Sequence, residues 1–174
     1  RAEVDSELSA AKEQRSGLNS RKQLLADLEK RYEGVDAGVR EVLERRAADP
    51  EARAFAYVRG MVADLISADV TNAAVIEAAL GGVDQYLVVS EAAPFLADAE
   101  MLDGLAGRVH AFCLDRLAPV VNDRDFSDQP GFVANAIDLV QFPEDAERLA
   151  RHLLCTTVIV ETLNDALRLA DLIP

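Results

Sequence analysis

A seven-residue apolar repeat in residues 1–32 constrains this chain more than any other feature. Its seam consists of six residues at the a and d positions of the heptad: Val4, Leu8, Ala11, Leu18, Leu25 and Tyr32. This period keeps one stripe of a supercoiled helix facing a neighbour. The other a positions hold Arg15, Lys22 and Glu29, which favours a register-setting arm over a strong dimerisation zipper. No later segment can serve as its partner helix. The alternative is a solvated amphipathic helix on an ordinary globule.

Size and composition limit the class of protein. Removing the arm leaves about 140 residues, enough for one well-buried core or for two small lobes that share an interface. Apolar residues make up 50% of the chain, without an uncharged apolar run long enough to cross a membrane and without a signal peptide pattern. We therefore expect no membrane contact. The chain opens on Arg1, and we expect a fragment of something longer.

Charge is distributed unevenly between the arm and the rest of the chain. Residues 1–32 hold seven Lys or Arg against six Asp or Glu, whereas the remainder holds eleven against twenty-five, for a net charge of -13. No lysine follows Lys30. This excludes a Walker A phosphate loop, because that motif needs a lysine directly after its glycine-rich turn. It also disfavours non-specific nucleic-acid binding by the body of the domain.

One local exception to the acidic balance lies where the arm meets the body. We expect a basic edge there, with possible DNA contact through four arginines: Arg40, Arg45, Arg46 and Arg53. The alternative is a helix face of alternating ion pairs, since acidic residues are interleaved with these arginines.

The body alternates helical and strand-like segments. The sequence predicts a strand from Tyr57 broken by Gly60, a helix capped by Thr71 and stopped by Gly81 and Gly82, and a buried strand at residues 85–89. Further helices are predicted at 92–105, 144–154 and 164–172, and further strands at 108–114 and 156–161. A polar loop at 119–131 divides the body in two. This alternation indicates mixed α and β layers.

Several stretches resemble the hinge domain of bacterial SMC (structural maintenance of chromosomes) proteins. The second half carries GFVANAIDLVQFPEDAERLARHLL (Gly131 to Leu154) and then TTVIVETLNDALRLA (Thr156 to Ala170). The first half carries MVADLISADVTNAAVIEAALGGVDQYLVV (Met61 to Val89) and GRVHAFCLD (Gly107 to Asp115). Even YEGVDAGVREVLE (Tyr32 to Glu44) is similar to the way the family's ascending coil reaches its hinge. The resemblance covers nearly the whole chain in the right order.

The resemblance implies an α+β, two-lobed fold preceded by a coiled-coil helix. It divides the chain into an arm and leading helix at 1–49, a first lobe at 50–118 and a second lobe at 119–174. In the family, the hinge lies at the apex of a long antiparallel coiled coil, and two hinges associate around a two-fold axis, the first lobe of one against the second lobe of the other. The partners implied are a second copy and the descending coil of the same full-length chain.

The same resemblance implies a role in chromosome condensation and segregation, at the nucleoid, without catalysis in this part of the protein. ATP and Mg²⁺ would bind at distant heads, so no cofactor is expected here. We expect dimer contacts from nine residues: Gly81, Gly82, Tyr86, Leu87, Val88, Val89, Val158, Ile159 and Val160. The chain stops at Pro174, before the family's last second-lobe strands and return coil, and its body lacks the lysines that many hinges carry.

Other candidate chemistry is weaker. The two His-x-x-Cys pairs, His110 with Cys113 and His152 with Cys155, would total a zinc set, but the strand spacing of the first pair sends its side chains to opposite faces. No motif places a nucleophile beside a base. The alternative function is a ligand-binding regulatory α+β module on a helical stalk, because paired lobes can enclose an acid-rimmed pocket.

Overall fold

The computed structural model describes residues 12, 14–22, 34–48, 55–122 and 124–172. The chain separates into two compact units, residues 1–35 and 36–174. In the first unit, residues 14–22 form an exposed helix that contains Leu18. The other predicted seam residues lie outside the described residues: Val4, Leu8, Ala11, Leu25 and Tyr32. The heptad seam therefore stays a prediction, within a segment that is helical where it is described.

The second unit mixes short helices and strands, as the fold-class prediction states. Its helices are α1 (Ala37–Ala48), α2 (Val62–Leu65), α3 (Ala73–Leu80), α4 (Ala92–Ala97), α5 (Ala99–Asp103), α6 (Glu147–Leu154) and α7 (Leu163–Ala170), with 3₁₀ turns at Val83–Gln85, Ala136–Leu139 and Glu144–Ala146. Its strands are β1 (Val58–Met61), β2 (Ser67–Ala68), β3 (Leu87–Val89), β4 (Ala111–Cys113), β5 (Phe132–Asn135), β6 (Val140–Gln141) and β7 (Val158–Val160).

The strands form three small sheets. β3 lies at the centre of the largest, antiparallel to β1 and parallel to β4. β5 and β7 form an antiparallel pair, and β2 pairs with β6. Because β2 precedes and β6 follows the predicted divide at 119–131, this last pair joins the two halves of the body through backbone hydrogen bonds.

One hydrophobic core spans both predicted lobes. Val62 of α2 and Val88 of β3 belong to the same buried cluster as Leu149 and Leu154 of α6. α1 adds buried Val39, Val42 and Leu43, which is why it belongs to the compact unit that begins at Asp36. The lobe boundaries at 50–118 and 119–174 stay a prediction, and this buried cluster contains residues from both segments.

Two predicted elements differ from those observed, and a side-chain hydrogen bond accompanies each difference. The strand expected from Tyr57 ends at Met61, because the Met61 amide donates to Asp64 Oδ2 at 2.8 Å and opens the short helix α2. The helix expected over 92–105 divides at Asp98, which accepts a hydrogen bond from the Tyr57 hydroxyl at 2.8 Å. In contrast, α3 stops at Gly81 in the left-handed conformation, φ 60°, as predicted.

Candidate functional site

The predicted dimer contacts divide between the interior and the surface. Leu87, Val88 and Val89 are 0% exposed, because β3 has a strand on each edge and packed side chains on each face. Their side chains are therefore not exposed in this fold, and their predicted contact with a second copy stays a prediction. Within this chain, these three residues are part of the buried core.

The remaining first-lobe contacts do reach the surface. Gly81 and Gly82 are exposed, with φ 60° and 89°, and a Cβ on either would find open space. Tyr86 is half-buried and stacks on His110, with ring centroids 4.6 Å apart, while Phe112 lies 5.7 Å away. This glycine turn and aromatic group stay candidates for contact with a second copy.

β4 provides an edge that the sequence analysis missed. It pairs with β3 on one side and with no other strand among the described residues, and Ala111, Phe112 and Cys113 are all half-buried. Burial raises the pKa of the Cys113 thiol, which keeps it in the neutral form. The short length of β4 and its lack of alternation explain why no sequence pattern marked it as an edge.

β7 provides the matching edge in the second lobe. It pairs only with β5 in the described part of the chain, and the predicted contacts Val158, Ile159 and Val160 are half-buried. The Glu161 amide donates to the Gly131 carbonyl at 2.9 Å, and the Ala136 amide donates to the Thr157 carbonyl at 2.9 Å. Because backbone groups alternate along a strand, those of Val158 and Val160 face away from β5.

A groove of about 560 Å³ runs beside this edge of β7. It lies between α7 and the segment 121–126, and its lining is mainly apolar: Val121, Phe126, Val158, Val160, Ala166, Leu169 and Ala170, with Asn122, Arg124 and Thr156 as polar members. Val121 is 78% exposed, and Leu163 and Leu167 of α7 are also exposed. An apolar surface of this kind next to unpaired backbone groups fits an extended strand.

The turn before β5 is held against α7 by unusually close packing. The Thr162 hydroxyl donates to Asp165 Oδ2 at 2.5 Å, and the Asp165 amide donates to Thr162 Oγ1 at 3.2 Å. The hydroxyl of Thr162 lowers the pKa of Asp165, with Arg168 as a further cause. A Cβ on Gly131 would lie 2.3 Å from the Asp165 Cγ, so this position accepts only glycine without displacement.

Three of the four arginines in the predicted basic edge lie among the described residues: Arg40, Arg45 and Arg46. Arg45 forms an ion pair with Glu41 one turn earlier on α1. At this residue, the structure agrees with the alternative prediction, a helix face of ion pairs. Arg46 and Arg40 are half-buried on the same helix. Arg53 lies outside the described residues, and DNA contact by the four arginines stays a prediction.

The histidines and cysteines occupy separate structural roles. His110 stacks on Tyr86, His152 packs edge-on against Phe112 with centroids 6.2 Å apart, and Cys155 is buried. Across the described ranges, no three or more His, Cys, Asp and Glu side chains are grouped to hold a metal ion. Nor does any helix in those ranges combine the length and hydropathy that a bilayer crossing requires.

Comparison with known proteins gives the family directly. The family model described as SMC proteins Flexible Hinge Domain matches residues 55–170. The chromosome partition protein Smc of Lactiplantibacillus plantarum is 32% identical over 156 residues, covering 87% of this chain and 13% of that protein. Smc of Myxococcus xanthus is 33% identical over 168 residues, covering 94% and 14%. The chain thus spans about one-seventh of the length of these relatives.

Solved structures agree with this match. The Geobacillus stearothermophilus SMC hinge domain, crystallised as an asymmetric dimer, has a TM-score of 0.82 and 27% identity, covering 97% of this chain and 66% of that chain. The Pyrococcus furiosus SMC hinge domain has a TM-score of 0.61 and 23% identity, covering 84% and 74%, and shares the fold.

Proposed function

This chain belongs to the SMC hinge family, and from that premise we propose that it is the dimerisation joint of a chromosome partition protein. The joint holds two coiled-coil polypeptides together at the apex of the dimer, where each arm enters and leaves. Its partners are a second copy of the same hinge and the descending coil of the same full-length protein. Its place in the cell is the cytoplasm, at the nucleoid.

The observation that supports dimerisation is an open strand edge in each half of one body, β4 before the divide and β7 after it. If the β4 edge of one copy meets the β7 edge of the other, a two-fold axis creates two such contacts at once. Each contact then raises the effective concentration for the second. Because a common core connects the halves, the two edges are held in a fixed relation.

Sedimentation velocity at micromolar concentrations tests this proposal. We expect a dimer whose dissociation constant rises about tenfold or more on Val160→Lys, because a lysine on an edge strand opposes strand addition. Val133→Lys is the matched control: Val133 is exposed on β5, away from the β7 edge, and the dimer should keep its affinity.

Two results would reject the edge-pairing proposal. One is a chain that stays monomeric at roughly a hundred micromolar, far above the concentrations at which standard-size interfaces associate. The other is an equal rise in the dimer dissociation constant for Val160→Lys and Val133→Lys. That result would place the interface elsewhere or reveal a general effect of added charge.

We further propose that this part of the protein has no catalytic role and needs no cofactor. The full-length protein would bind ATP and Mg²⁺ at heads far from the hinge. What supports this division is the absence of a lysine after Lys30, since a Walker A loop cannot be built without one. Isothermal titration of the chain with Mg²⁺ and ATP should give no heat of binding, and a saturable isotherm would contradict the proposal.

DNA contact through Arg40, Arg45, Arg46 and Arg53 is a further part of this proposal. The surrounding body is strongly acidic, so we expect low affinity that falls steeply as salt is raised. Arg45→Glu with Arg46→Glu should abolish the retardation of a duplex in a gel, whereas Arg116→Glu, on an exposed residue outside this group, should not. If Arg45→Glu with Arg46→Glu retarded the duplex as much as Arg116→Glu does, these arginines would have no role in DNA contact.

A second candidate function, a ligand-binding regulatory module, is favoured by one observation, the groove beside β7. Its volume lies within the range of small-molecule sites. Sedimentation distinguishes the two functions, because a hinge dimerises without ligand. A monomer that changes its association only on adding metabolites would favour the regulatory module.

A further inference from the structure

α1 approaches the segment before β4 more closely than a side chain would allow. Gly38 is buried within α1, and a Cβ there would lie 2.9 Å from the Arg108 carbonyl oxygen and 2.9 Å from Val109 Cγ2. The carbonyl oxygen is part of the backbone and cannot rotate aside. Glycine has no Cβ, so it allows this close approach in the first turn of α1.

A hydrogen bond one turn later fixes the same two elements. Glu41 Oε2 accepts from the Ala106 amide at 2.9 Å, while Oε1 pairs with Arg45. The Ala106 amide is the main cause that lowers the pKa of Glu41, which keeps the carboxylate ionised as an acceptor. We call this group, Gly38 and Glu41 with the backbone of residues 106–108, the α1 clamp.

The clamped segment leads without interruption into β4. The His110 carbonyl accepts from the Leu87 amide at 2.9 Å, so residues 106–110 are tied to α1 at one end and to β3 at the other. In β4, the Phe112 ring packs edge-on against the His152 ring of α6. A short segment fixed at both ends cannot absorb a displacement of either neighbour, because packed elements are not continuously deformable.

We propose that the α1 clamp couples the position of α1 to that of β4. A strand that docks on the open edge of β4 then changes the position of α1, the helix that follows the arm in sequence. By reciprocity, a displacement of α1 changes the affinity of the β4 edge for a docking strand. The coupling goes beyond joining two copies, and as an intramolecular property it would remain in a monomeric chain.

Amide hydrogen exchange of the chain, followed by NMR, tests the coupling with the Leu87 amide as reporter. Glu41→Ala should speed exchange of the Ala106 amide by roughly tenfold, because it removes a hydrogen bond to a charged acceptor. It should also speed exchange at Leu87, which Glu41 does not touch. Glu41→Gln keeps an acceptor oxygen and should restore both rates toward those of the parent chain.

Arg45→Ala is the matched control, since it removes the ion pair and leaves the Glu41 to Ala106 hydrogen bond. We expect parental exchange at both reporters. An effect of Glu41→Ala confined to Ala106 would overturn the proposal, because the clamp would then be local. The proposal would also be overturned if Glu41→Gln and Arg45→Ala sped exchange of the Leu87 amide as much as Glu41→Ala does. Loss of the ion pair would then explain the effect.

Gly38→Ala tests the coupling from the side of the helix. Its Cβ must displace α1 or the backbone at Arg108, so exchange at Leu87 should accelerate although alanine is the better helix former. Ala47→Gly, on an exposed position of α1, should loosen the helix without changing Leu87. Unchanged Leu87 exchange in Gly38→Ala would overturn the proposal independently of whether the chain dimerises.

Discussion

The sheets of the two lobes are built from similar apolar residues and differ in what surrounds them. In the first lobe, β3 has strands on both edges and its three residues are fully buried. In the second, β7 pairs with β5 alone within the described part of the chain, and its three β-branched residues are half-buried beside a groove. The comparison teaches that an apolar strand becomes core or contact surface according to the number of its neighbours. Both halves contribute residues to the buried cluster, so the two strands differ in their position within a sheet and not in the part of the chain that holds them.

The largest expected effect tests the burial difference with one chemical change in each sheet. Val89→Ala in β3 should lower the free energy of unfolding by about 2 to 3 kcal/mol, because it removes fully buried methyl groups and leaves a cavity. Val158→Ala in β7 should lower it by about 1 kcal/mol or less. Urea unfolding at one protein concentration measures both, and equal losses would end the distinction between the two strands.

The next effect compares two glycines with positive φ, one in each lobe. Gly131→Ala, at φ 78° against the Asp165 side chain, should cost about 2 kcal/mol through backbone strain and overlap together. Gly81→Ala, at φ 60° in open space, should cost about 1 kcal/mol through strain alone. Thermal unfolding of both variants checks the order.

A double variant separates strain from overlap at Gly131. Combining Gly131→Ala with Asp165→Ala removes the atoms that the new Cβ would meet, so the two losses should not add. Strict additivity would show that overlap with Asp165 contributes nothing.

A smaller effect compares the first turns of two helices. Thr162→Ala should cost about 1 kcal/mol, because the Thr162 side chain accepts from the Asp165 amide at the start of α7. Asn72→Ala should stay within about 0.5 kcal/mol, because Asn72 makes no side-chain cap bond at the start of α3. Denaturant unfolding at neutral pH measures both, and a larger loss for Asn72→Ala would reverse the comparison.

The smallest effect is the part of the pH dependence of stability that Asp165 contributes in the second lobe. The pKa of Asp165 is lowered in the folded chain, first by the Thr162 hydroxyl. Its contribution to stability is therefore complete above the unfolded pKa of about 4 and is lost as pH falls through the folded value. Asp165→Asn should make the acid loss of stability less steep, and Thr162→Ala should do so in part. Unfolding midpoints between neutral and acid pH measure this slope, and a parental slope in both variants would contradict it.

Local signals predicted those elements whose ends are determined within the chain segment itself. Gly81 and Gly82 marked the end of α3 correctly, and the apolar run before Ser90 marked a fully buried strand. The strand from Tyr57 was predicted too long because the Asp64 side chain, three residues beyond the Met61 amide, begins a helix there. The long helix after Glu91 was predicted as continuous because its break depends on Tyr57, 41 residues away from Asp98.

The dimer contacts named from the sequence stay a prediction, and the structure adds the position of each strand within its sheet. The second-lobe strand Val158 to Val160 was correctly placed as an apolar strand, whereas Leu87 to Val89 was assigned to a contact surface although it lies inside the sheet. The edge of β4 and the groove beside β7 were missed altogether. An edge is defined by which strand lies next to which, and that relation is not encoded in the period of any one segment.

The sequence by itself determined the class of fold, the family resemblance and the contrast in charge between residues 1–32 and the acidic remainder. Turn glycines, apolar runs and charge balance are properties of neighbouring residues, so they can be read along the chain. Only the tertiary structure decided which strands are central, which residues of the two lobes meet in one buried cluster, and that α1 contacts the segment before β4. Those relations depend on contacts between residues far apart in sequence, and burial decides them once the whole body is packed.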